Sequence, residues 1–88
     1  MYFYVYLLIA IKSKKKISYV GYTQDLNKRL NLHNNAKGAK FTRGRKWKLI
    51  YKERYNSKSE AMKAESKLKK NYKLRKKIKL NFINEYKQ

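Results

Sequence analysis

From Tyr2 to Ile11 the chain reads Tyr-Phe-Tyr-Val-Tyr-Leu-Leu-Ile-Ala-Ile, without a single charge or proline. A run of β-branched and aromatic residues with no polar alternation reads as a strand buried on both faces. Whatever fold forms must therefore put covering layers on either side of this segment. The run is too short to cross a bilayer, which takes about 20 apolar residues in a helix. It also lacks the basic leader and small-residue cleavage site of a signal peptide, so a cytoplasmic protein without membrane attachment is expected.

The rest of the chain supplies those layers. Lys12 to Lys16 is a polar turn, and Ile17 to Tyr22 reads as a second, antiparallel strand. Thr23 is placed to cap a helix, with Asp25 in the first turn where the helix dipole favours an anion. Leu26, Leu30 and His33 continue at helical spacing to about Asn34. A basic loop with two glycines, Gly38 and Gly44, runs from Asn35 to Lys46. Trp47, Leu49 and Tyr51 then alternate with Lys48, Ile50 and Lys52, which predicts a third strand. Ser57 followed by Glu60 is a capping-box pattern and opens a helix with Ala61, Ala64, Leu68 and Tyr72 on one face. Leu74, Ile78, Phe82 and Tyr86 predict a third helix, although Ile78 to Phe82 also alternates as a strand would. The expected fold class is α+β, a small three-stranded antiparallel sheet flanked by helices in the order β-β-α-β-α-α. Eighty-eight residues make one domain, 1–88.

Lysine and arginine number 25 against five acidic residues, a formal net charge of +20. So positive a surface repels itself unless a polyanion neutralises it, and nucleic acid is the natural partner. An anionic membrane is a poorer match, because no basic amphipathic helix stands alone. Without cysteine there is no disulfide and no thiolate zinc site, and one histidine does not make a structural zinc cage. Charge argues for the partner and says nothing of chemistry.

Chemistry needs particular groups. Glu65 lies on the helix stripe that should face the core, where a carboxylate is costly unless it is paired or holds a metal. A neighbouring lysine or a cation would each satisfy it. Arg29 and His33, four apart, share one helix face, an arrangement that also occurs on a solvated edge. Tyr6 and Tyr19, taken singly, suit packing with their hydroxyls at a rim.

Taken in order, Tyr4-Val5-Tyr6, Tyr19-Val20-Gly21, Arg29, His33, Glu65 and Asn71 resemble the GIY-YIG nuclease superfamily. The likeness is to its small stand-alone bacterial (UPF0213-like) members, related to the nuclease domain of the bacterial excinuclease and to structure-specific endonucleases. Gly38 to Thr42 and Ser57 to Ala61 are similar to those members too, and the resemblance spans nearly the whole chain. It implies a phosphodiester hydrolase acting on DNA in repair, recombination or processing. Tyr6 would be the general base or position the water, and Tyr19 would share its network. Arg29 would stabilise charge on the scissile phosphate, and His33 would support the water or the leaving oxygen. Glu65 would hold one Mg²⁺ or Mn²⁺ ion, with Gly21 and Asn71 in supporting places. Nearby cations, Arg29 and the metal, are expected to lower the Tyr6 pKa from about 10. The chain departs from the family's name at Tyr4-Val5, which stand where it has Gly-Ile.

Lys37, Lys40, Arg43 and Arg45 in the basic loop are expected to contact phosphates, which position a protein and specify no sequence. Structure-selective rather than sequence-selective cutting follows, with DNA the expected substrate and RNA left open. A non-catalytic nucleic-acid-binding module keeping the fold and charge is the alternative, and a structural ribonucleoprotein component is another. To break two strands, so small a chain would dimerise or work with a partner protein.

Overall fold

The computed structural model describes residues 1–12, 15–35 and 46–86. Six elements follow in the expected order: β1 Phe3–Lys12, β2 Lys15–Thr23, α1 Leu26–Asn34, β3 Lys48–Tyr55, α2 Lys58–Lys70 and α3 Tyr72–Tyr86. β1 is the central strand of an antiparallel sheet of order β2-β1-β3. Val5 to Ala10 are all buried, at 3% exposure or less, as the uncharged run requires.

Strand alternation sends β1 into two cores. Val5 and Leu7 pack with Val20 of β2, Ala61 and Leu68 of α2, and Ile78 of α3. Tyr6, Leu8 and Ala10 pack on the other face with Tyr19, Trp47, Leu49, and Leu26 and Leu30 of α1. The sheet is thus sandwiched between α1 and the α2–α3 pair. Each such side chain removed from water contributes about 1.5–3 kcal/mol, which makes β1 the element the fold depends on most. Among the described residues, no helix is long and apolar enough to cross a membrane.

Two local expectations are corrected. Asp25, not Thr23, caps α1: its side chain accepts from the Lys28 N–H at 3.1 Å, while Thr23 Oγ1 accepts from the Asp25 N–H at 3.2 Å. Both residue types cap helices, and the tight Thr23–Asp25 turn decides between them. The alternation expected along β3 also breaks. Its register against β1 slips between Leu7 and Leu8, which pair with Tyr51 and Leu49. The bulge turns Leu49 toward the α1 side while Ile50 and Tyr51 both reach the other core. Ser57 caps α2 by accepting from the Glu60 N–H, as its spacing predicts.

Candidate active site

The α1 side of the sheet carries more than apolar contacts. Tyr6 lies directly across from Gly21 in the β1–β2 register. A Cβ built on Gly21 would overlap the Tyr6 hydroxyl and stand 2.6 Å from its ring carbon Cζ and 3.2 Å from Tyr19 Cε2. The glycine is there because the phenol lies flat across it. Two residues along β1, Leu8 is paired with Tyr19, so both motif tyrosines share this face.

α1 closes the cluster from above. His33 is fully buried, and its Nε2 is 3.0 Å from the Tyr6 hydroxyl. Its ring centroid is 5.0 Å from that of Tyr19 and 6.0 Å from that of Tyr6, and the two phenol centroids are 6.4 Å apart. The solvated helix edge that Arg29 and His33 would otherwise form is therefore not where His33 sits. Arg29, one turn earlier, places its guanidinium beside the Tyr6 hydroxyl. Its Nε is buried without a hydrogen-bond partner, a cost that packing alone does not call for.

Burial decides the titration. It pushes the Tyr6 phenol up to about 12, against the pull of Arg29 and with a smaller push from Tyr19 and Glu65. Arg29 alone, without a metal, does not lower it, because a buried phenolate loses more hydration than one guanidinium returns. His33 is lowered from its ordinary value, first by burial and then by the Arg29 charge. At neutral pH the pair is an un-ionised phenol against a neutral imidazole.

Glu65 comes from α2, which packs on both β1 and β2. Its side chain is only 15% exposed and pairs with Lys69 at 2.6 Å, one helical turn on. The lysine alternative for this carboxylate is thus realised. The pair is still close to the phenols: the Glu65 charge acts on Tyr6, and Tyr19 acts on Lys69. Among the described residues no three His, Cys, Asp or Glu gather as a metal site. One carboxylate suits a hard cation that keeps its waters and takes its other ligands from substrate phosphates. The donor set therefore fits a single Mg²⁺ or Mn²⁺ at Glu65.

Asn71 caps the junction of α2 and α3. Its N–H donates to Leu68 O, and its side-chain oxygen accepts from the Leu74 N–H at 3.0 Å. Lys37, Lys40, Arg43 and Arg45 lie outside the described residues. Sequence reading missed Asn34, whose side chain accepts from the Trp47 N–H at 2.6 Å and donates to Trp47 O at 3.2 Å. That clamp holds Trp47 against Tyr19, with centroids 6.4 Å apart and rings edge-on. No spacing rule links residues 13 apart.

The model of the GIY-YIG catalytic domain matches residues 2–79, and the chain belongs to the GIY-YIG family. Within it, a UPF0213 protein of Streptococcus agalactiae serotype V is 49% identical over 70 residues, 78% of this chain and 76% of that one. A UPF0213 protein of Staphylococcus saprophyticus is 41% identical over 78 residues, 88% of this chain and 90% of its own. The solution NMR structure of a UPF0213 protein from Bacillus halodurans is 35% identical, covers 93% of this chain and 85% of its own, and superposes with a TM-score of 0.48.

Proposed function

We propose that the chain is a divalent-metal-dependent DNA nuclease that hydrolyses phosphodiester bonds, selecting DNA structure over sequence. One observation carries the reading: a phenol, an imidazole and a guanidinium are packed together over a glycine that has room for nothing else. A core needs no such group, and each polar member costs stability there.

The geometry supports the following roles. Arg29 meets the scissile phosphate through its guanidinium, whose charge-assisted bonds strengthen as negative charge grows on the phosphoryl oxygens. With its pKa pushed up to about 12, the Tyr6 phenol is not ionised at neutral pH, so it does not take a proton unaided. It relays one: a water gives its proton to the Tyr6 oxygen while the hydroxyl proton of Tyr6 passes to His33 Nε2. The hydroxide forms the new bond to phosphorus, the bond to the leaving oxygen breaks, and solvent protonates that oxygen. His33, fully enclosed, acts through Tyr6 as a positioning residue and proton acceptor. Its imidazolium is disfavoured beside Arg29, which returns the proton once the cut is made. Tyr19 holds the imidazole in place by ring contact. Glu65 would hold the metal, which when bound adds positive charge at the phosphate and lowers the pKa of a coordinated water. Lys69 must then release the carboxylate.

The second reading, a nucleic-acid-binding module without catalysis, draws on that same Glu65–Lys69 pair, since a carboxylate kept by lysine needs no metal. One experiment separates them. Nicked, branched, single-stranded and duplex DNA are incubated with the protein in Mg²⁺, Mn²⁺ or EDTA, beside Glu65→Ala. Cutting that requires metal and is lost with Glu65→Ala is the expected result. Binding without cutting under every metal favours the module, and full cutting by Glu65→Ala removes the metal role.

A further inference from the structure

A second opening lies on the same face of the sheet, next to the Tyr6 cluster. Tyr4, Gln24, Asp25, Leu26, Asn27 and Lys52 line it, and its volume is about 340 Å³. Ligand sites begin at roughly 300 Å³, so the space suits one nucleotide and little more. Two features of the backbone tie it to the cluster. Lys52 is the partner of Tyr6 across β1 and β3. Tyr4 precedes Tyr6 by one strand repeat, so both side chains stand on one face. Leu26 is shared, lining this opening and also the tight void beneath Tyr6 and Arg29. A strand whose phosphate sits at Arg29 and Tyr6 brings its neighbouring nucleotide here.

The lining has the chemistry of a nucleotide. Tyr4 offers a half-buried ring and Lys52 an exposed ammonium. The Asp25 carboxylate also lines the opening, engaged by the Lys28 N–H. A phosphate is repelled from Asp25 and attracted to Lys52, which orients the occupant. Because Asp25 already caps α1, the helix terminus is not offered to the phosphate, and Lys52 must bind it.

We infer that this opening is a nucleotide subsite, in which Tyr4 stacks on the base flanking the cut and Lys52 pairs with its phosphate. The identity of the polymer rests on the nuclease reading. The contact itself does not, and it can be measured without catalysis. Single-stranded oligonucleotides carrying 2-aminopurine at successive positions are bound to the protein in EDTA, and fluorescence and affinity are read. Quenching at one position is expected in the parent and in Tyr4→Phe. In Tyr4→Leu the quenching disappears and affinity falls roughly 5- to 150-fold, the range for losing one base–aromatic stack. Lys52→Met flattens the slope of log affinity against log salt by about 0.7, one phosphate contact on a single strand. Circular dichroism melting shows whether each variant is folded. Absence of binding, quenching at every position alike, or a folded Tyr4→Leu that binds and quenches like the parent overturns the subsite. If Tyr4-dependent stacking is present but the parent cuts nothing, the subsite stands and the nuclease reading falls.

Discussion

On one face of the sheet Tyr6 and Tyr19 lie with Glu65 in electrostatic range; on the other, Tyr51 and Tyr55 lie with Glu53. Composition does not tell these trios apart. Burial pushes Tyr51 up to about 12, the same value Tyr6 reaches, and Tyr55 is raised as well. Their partners differ. Glu53 Oε2 accepts from the Tyr51 hydroxyl at 2.6 Å and from the Tyr55 hydroxyl at 3.4 Å, so that trio satisfies itself. On the α1 side the Tyr6 hydroxyl meets an imidazole and a guanidinium, and the acid, which comes from α2, is held by a lysine whose side chain is 55% exposed. A perturbed phenol therefore marks burial. A phenol beside a cation, near an acid held by a half-exposed lysine, is the arrangement the proposed site needs.

The largest effects should separate the two trios. Arg29→Ala is expected to lower the cleavage rate roughly a hundred- to a thousandfold, the usual loss when a positioned transition-state donor is removed. Glu53→Gln, measured in the same assay, should leave the rate within about twofold. A comparable loss from Glu53→Gln would mean that both faces take part and the distinction is wrong.

Gly21→Ala asks whether the Tyr6 cluster tolerates any added volume. The new methyl would enter the space of the Tyr6 hydroxyl and crowd Tyr19. Overpacking of this kind costs about 1–3 kcal/mol. In a domain of this size each kcal/mol lowers Tm by about 4–8 °C, so calorimetry resolves it. An unchanged Tm would show that Tyr6 swings away freely and that the glycine serves no close approach.

How much of this could be read beforehand depends on the range of the interaction. The β1 run and the Ser57–Glu60 cap are local patterns, and both form as read. Thr23 and Asp25 compete for one cap two residues apart, where composition cannot choose. The bulge opposite Leu7 and Leu8 depends on pairing between strands, so period-two reading of β3 misplaces Tyr51. Helical spacing puts Arg29 and His33 on one face but does not say what covers it. Tyr6, Tyr19 and the enclosed surroundings of His33 come from three separate elements. The upward shift of Tyr6 in the absence of a metal is hidden for the same reason: charge is visible along the chain, whereas burial is not.

The imidazole gives the Tyr6 face a pH response of its own. His33 is the only histidine in the chain. Its folded pKa lies below the unfolded value of about 6.5, so the unfolded chain binds the proton more readily. The stability it contributes is fully present above about pH 6.5 and is lost as pH falls through the lower folded value. Denaturant melts from about pH 7.5 down to about pH 5 should show that decline in the parent. They should show a shallower decline in His33→Gln, and equal slopes in the two proteins would contradict a neutral, buried imidazole.

The smallest effect concerns Lys69. Its ammonium is raised from its ordinary value chiefly by the hydrogen bond to Glu65, which means the carboxylate is already carrying a cation. A divalent ion has to displace it. An exposed pair of this kind is worth at most about 1 kcal/mol, so removing the competitor should tighten Mn²⁺ binding by no more than about fivefold. Titration of DNA-free Lys69→Met with Mn²⁺, followed by electron paramagnetic resonance, tests this. Tighter binding than in the parent identifies Lys69 as a placeholder for the metal. Weaker binding would mean that Lys69 orients the carboxylate, making the Glu65 trio as self-contained as that of Glu53.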